Sequence, residues 1–118
     1  MRVISQTGKT DVPYENFVFS ILNSSGGNYG IVAVKNVAEP PEVFMNSLIA
    51  TYSTEEKAIK AMEMLREQYE RLEVFKVLAS GATEHMEKSL NYEELVKYNQ
   101  SYCEMNAFQF PKDDEVEV

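Results

Sequence analysis

The stretch Ser53-Thr54-Glu55-Glu56-Lys57-Ala58-Ile59-Lys60-Ala61-Met62-Glu63-Met64-Leu65-Arg66-Glu67-Gln68-Tyr69-Glu70-Arg71-Leu72 decides the fold. Ser53 followed by Glu56 has the form of a capping box: the Ser53 hydroxyl accepts from the Glu56 amide while the Glu56 carboxylate reaches back. Apolar residues then recur at Ala58, Met62, Leu65, Tyr69 and Leu72, with Ile59 and Ala61 widening the stripe. Steps alternating between four and three residues stay on one face of an α-helix, so the pattern predicts a helix over residues 54–73. Its apolar stripe needs a cover, and the upstream residues supply a sheet.

Val3-Ile4-Ser5-Gln6, the turn Thr7-Gly8-Lys9 and Asp11-Val12-Pro13-Tyr14-Glu15 read as a strand, a turn and a return strand. Pro13 has no amide proton, which confines that return strand to an edge. Asn16 to Leu22 and Tyr29 to Val34 have strand composition and flank Ser24-Ser25-Gly26-Gly27-Asn28, so they form a hairpin. Ala38-Glu39-Pro40-Pro41-Glu42 is a loop, and Val43 to Tyr52 is a third meander strand broken near Asn46. Downstream, Val74 to Ala79 is a strand candidate or a helix end closed by Gly81. Thr83 to Leu90 and Tyr92 to Tyr102 are helical, as two helices capped at Asn91 or as one kinked helix. Asn106 to Phe110 alternates and stops at Pro111, a last short strand. The expected class is α+β: an antiparallel sheet of hairpins and meander, with one long amphipathic helix and a second helical segment on one face. Residues 1–111 make a single domain, and residues 112–118, poor in apolar side chains, form a mobile acidic tail.

The 118 residues carry 19 acids and 11 bases, a net charge of −8. Residues 82–118 hold nine acids and three bases, so the acidity gathers in the last third. Such a surface repels phosphate backbones and anionic lipid headgroups, which argues against direct nucleic-acid or membrane binding. It attracts basic protein surfaces. No apolar run approaches the ~20 residues of a membrane span. A lone Cys103 and no secretory leader point to a reducing cytoplasm.

Motifs for chemistry are weak. Gly8-Lys9-Thr10 lacks the upstream glycine of a phosphate loop, because Val3 stands there, and Asp11-Val12-Pro13 follows instead of a helix. His85, the single histidine, has no partner cysteines for a zinc site beyond Cys103. A Cys103–His85 nucleophile pair has no flanking signature. The expectation is therefore no enzyme, no cofactor and no metal. The carboxylates suit recognition better. Glu56, Glu63, Glu67 and Glu70 lie opposite the apolar stripe. Along the axis, Glu63 to Glu67 spans ~6 Å and Glu67 to Glu70 ~4.5 Å, comparable to successive phosphates on one strand. Lys60, Arg66 and Arg71 stand close enough to pair with them. Glu93 and Glu94, with Asp113, Asp114, Glu115 and Glu117, complete the candidate partner-binding set.

Three stretches together resemble a family of short proteins encoded in phages, prophages and other mobile elements of Gram-positive Firmicutes. They are Met1-Arg2-Val3-Ile4-Ser5-Gln6 with Asp11-Val12-Pro13-Tyr14-Glu15; Ala50-Thr51-Tyr52-Ser53-Thr54-Glu55-Glu56 running on to Arg66; and Phe108-Gln109-Phe110-Pro111 with its acidic end. The resemblance implies a phage protein acting in the cytoplasm of a bacterial host, and it carries no active-site residue, because family members are without assigned activity. Small acidic phage proteins without catalytic motifs resemble inhibitors of host defence, including anti-CRISPR proteins. A Cas9-type nuclease holds guide and target in a basic channel of matching charge. The alternative expectation is a non-enzymatic accessory or structural protein of a mobile element, able to form a homo-oligomer through its strand edges, whose charge serves solubility.

Overall fold

Arg2–Ile4 (β1) turns back on itself and returns as Asp11–Pro13 (β2), with Val3 opposite Val12. Gly8 makes the turn at φ 77°, its amide donating to the Ser5 carbonyl at 2.9 Å; the left-handed conformation suits glycine. The Gly8-Lys9-Thr10 segment is thus a hairpin turn, as its sequence indicates. The structure is a computed structural model that describes residues 1–23, 26–35, 47–89 and 92–118. The predicted loop at 38–42, the break near Asn46 and the predicted cap Asn91 lie outside those residues.

After a 3-10 turn at Tyr14–Asn16, Phe17–Asn23 (β3), Tyr29–Lys35 (β4) and Ser47–Tyr52 (β5) form a second sheet, antiparallel throughout, in the order β3-β4-β5. The register shifts between Ile31 and Val32: Ile31 faces Ala50 while Val32 faces Leu48. Ile49 is the extra residue of this bulge, which lets both Ile49 and Ala50 bury.

The remaining strand corrects the expectation of one antiparallel sheet. Ala107–Gln109 (β6) lies parallel to β1, giving the order β2-β1-β6. The chain therefore has two three-stranded sheets, the first of them mixed. Gln6 joins them. Its amide donates to the Ile49 carbonyl at 2.9 Å. Its side chain accepts from the Thr51 amide and donates to the Thr51 carbonyl, both at 3.1 Å. One glutamine thus acts towards β5 as an added strand residue.

The long helix Glu55–Ser89 (α1) outruns its predicted end by sixteen residues, and Tyr92–Met105 (α2) follows as a separate helix. Val74 to Ala79 is helical, not a strand. Gly81 does not close the helix; an interior glycine costs only ~1 kcal/mol relative to alanine, and no proline intervenes. At ~1.5 Å per residue α1 is ~52 Å long, which accounts for the 57 Å extent of the molecule. Ala58, Ala61, Leu65 and Leu72 are buried with Ile31, Ile49, Tyr52 and Phe110. Beyond Leu72 the sheets end. There α1 packs on α2, with Phe75 stacked on Tyr98 at a ring-centroid distance of 5.3 Å.

The last residues are a second correction. Residues 112–118 are not a free tail: Asp113–Glu115 is a 3-10 turn, and Val116, 4% exposed, belongs to the core.

Candidate acidic interface

Tyr52 begins the construction. It is buried at the end of β5, and its hydroxyl donates to the Pro111 carbonyl at 2.7 Å. That bond fixes where residues 112–118 leave the core. Burial, with the charges of Asp113 and Glu115, raises the Tyr52 phenol above its ordinary range, so it stays a neutral donor.

Asp113 then docks the segment on the start of α1. The Ser53 amide donates to Asp113 Oδ1 at 2.7 Å, and Ser53 Oγ lies 2.9 and 3.0 Å from the two carboxylate oxygens. Lys57 Nζ donates to the Asp113 carbonyl at 2.9 Å and approaches Oδ2 at 3.3 Å. These bonds, the Ser53 amide first, hold the Asp113 carboxyl below its usual range. Ser53 is consequently not the cap of α1. Thr54 is, with its Oγ1 accepting from the Lys57 amide at 3.2 Å. The expected Ser53–Glu56 capping box is thereby overturned: the serine is taken by a residue sixty positions away, and its neighbour fills the role.

The docked segment collects part of the predicted set. Asp113, and with it the segment carrying Asp114, Glu115 and Glu117, is tied to the start of α1, whose first turns carry Glu55, Glu56 and Glu63. Val118 shares a shallow hollow with Glu56, Ile59, Lys60 and Glu63. Counting Lys57, Lys60 and Lys112, residues 53–63 and 112–117 hold seven acids and three bases, a net of −4, half the charge of the chain.

The other predicted residues stand elsewhere. Glu67 and Glu70 lie farther along α1, beside a hollow floored by Val74, Phe75 and Met105. Glu93 and Glu94 open α2, at the opposite end of α1 from the acidic cluster. The stripe is also partly neutralised: Glu63 lies 3.9 Å from Lys60, and Glu67 lies 4.0 Å from Arg71. Exposed pairs of this kind contribute little, ~0–1 kcal/mol, but each lowers the local charge. The unbroken helix keeps the expected spacing of these glutamates, while the pairs to Lys60 and Arg71 reduce the charge along it.

Sequence reading missed Ser53 and Lys57 as anchors and Gln6 as a join. The residue types were visible, but their partners lie 43 to 105 positions away. Cys103 is exposed on α2 beside Val96, Asn99, Gln100 and Glu104; the side chain of His85 lies outside the described residues. Among the described residues no group of His, Cys, Asp and Glu is arranged to hold a metal ion. No helix among them is long and apolar enough to cross a membrane. No protein-family model matches the chain, and no curated protein or solved structure matches it significantly.

Proposed function

We propose that the chain is a non-enzymatic binding protein of a phage or other mobile element. Its acidic end would dock on the basic nucleic-acid-binding surface of a host defence protein. The guide-RNA or DNA channel of a Cas9-type nuclease has the matching charge. The observation that supports this reading is the docking of residues 112–118 through Asp113 to Ser53 and Lys57. It ties the backbone of the segment carrying Asp114, Glu115 and Glu117 to the start of α1, so less ordering entropy remains to be lost on binding. A fixed cluster of net −4 also speeds encounter with a cationic groove.

The test is competition between this protein and guide RNA or target DNA for a Cas9-type nuclease, at ~50 mM and ~200 mM salt. Binding is expected at low salt, with affinity falling steeply as salt rises. Reversing the charges at Asp114, Glu115 and Glu117 to lysine, with Asp113 left intact, is expected to weaken it at least about tenfold. No detectable affinity at low salt rejects the proposal.

A further inference from the structure

The two edges of the second sheet are treated differently. The β5 edge is occupied by Gln6. The β3 edge is bare: among the described residues, nothing beyond the ladder to β4 hydrogen-bonds the backbone of residues 18–23. Half of those amides and carbonyls necessarily point away from β4. Exposed strand edges are normally blunted by charge, proline or brevity. The first sheet follows that rule, with Asp11 and Pro13 on β2 and only three residues in β6. β3 breaks it. It is seven residues long, and residues 16–34 contain no charged side chain, in a chain of net −8.

Nor is the face of β3 suited to water. Val18 is 50% and Leu22 49% exposed. Inside the edge, Phe19 borders a groove of about 570 Å³ against α1, with Tyr14, Met62, Arg66 and Tyr69 along it.

We infer that the β3 edge is a docking site for a second copy of this chain, paired antiparallel about a two-fold axis through Ser20. The strand Phe17-Val18-Phe19-Ser20-Ile21-Leu22-Asn23 complements itself in that register. Val18 faces the copy's Leu22, Phe19 its Ile21, and Ser20 its Ser20. Apolar pairs form on both faces, each worth ~0.2–1 kcal/mol, and no like charges oppose. In a strongly acidic chain this uncharged hairpin is the surface on which two copies approach with least repulsion. The product is a continuous six-stranded antiparallel sheet with an isologous interface. The acidic cluster adjoins Ser53, which follows β5, so it stays open across the sheet from the new seam. The inference does not depend on the proposed binding function.

Sedimentation velocity of the full chain, from low micromolar to several hundred micromolar, is the first measurement, and a dimer is expected. Val18→Lys with Leu22→Lys sets a lysine opposite a lysine twice across the seam. Both positions face solvent, so the circular-dichroism spectrum is expected to hold while the dimer is lost. The register has its own test, in a Cys103→Ser background. Ser20→Cys puts two thiols on Cα atoms ~4.5–5.5 Å apart, inside the disulfide range, and mild oxidation is expected to link the copies. Leu22→Cys leaves the two thiols about four strand positions apart, ~13 Å, and no link is expected. A chain that stays monomeric throughout overturns the inference. So does a dimer that survives the double lysine variant, or one that links equally well through residue 22.

Discussion

The two halves of α1 hold apolar residues in similar proportion and meet different fates. Up to Leu72 its apolar side chains meet two sheets, and Leu72 is fully covered. A few residues on, Val74 and Val77 are largely exposed and Leu78 is 68% exposed. No change in helix geometry separates the halves. The sheets stop, and α2, a helix of fourteen residues, packs against Phe75. The difference shows that an apolar residue in a periodic helix is a request for a neighbour, and the tertiary structure decides where it is met. It divides the molecule into a base, made of both sheets, the first half of α1 and residues 110–118, and an arm made of the rest of α1 with α2.

The largest effect expected from this division concerns paired truncations. Leu72→Ala removes side-chain atoms from a filled core and is expected to cost ~2–5 kcal/mol in urea unfolding. Leu78→Ala is expected to stay within ~0.5 kcal/mol. Equal losses at the two sites would dissolve the distinction between base and arm.

A smaller effect sharpens it. Gln6→Ala removes the side chain that bonds both Thr51 backbone groups and donates to the Pro111 carbonyl at 3.0 Å. A loss of ~1–3 kcal/mol is expected, the usual consequence of stranding half-buried polar groups. Amide exchange is expected to quicken at Thr51 and to stay unchanged along α2.

The smallest effect is read against pH. Asp113 is held low by Ser53 and Lys57, and Glu15 is held low chiefly by its bond to the N-terminal amine at 2.8 Å. In both, the folded pKa lies below the unfolded one. Their contribution is therefore complete above the ordinary carboxylate value, about pH 4, and fades as pH falls through the folded values. Both groups belong to the base. Asp113→Asn is expected to flatten the acid limb of a urea-midpoint titration.

Much of the fold was legible because it is local. The helix stripe from Ala58 to Leu72, the hairpin of β3 and β4, and the edge placement of Pro13 each follow from residues within one turn or one strand. What stayed hidden is what sequence separation hides. β6 was read as a strand, but nothing in Ala107-Phe108-Gln109 says that it joins β1 in parallel. Residues 112–118 were read as a tail because their carboxylates outnumber their apolar groups. One buried valine, Val116, and one aspartate matched to Ser53 were enough to dock them. The candidate site was half legible for the same reason: the acidic surplus can be counted in the chain, but its gathering at one end depends on that docking.

The parallel seam between residues 2–4 and 107–109 also bears on how the molecule is born. A ribosome releases residues 2–4 about a hundred residues before 107–109. Closing so large a ring is slow rather than ruinous, since loop entropy grows only with the logarithm of length. Until then one flank of β1 waits unpaired, and an interrupted translation product never acquires its partner. The later-made strand β6 thus completes the sheet begun by β1.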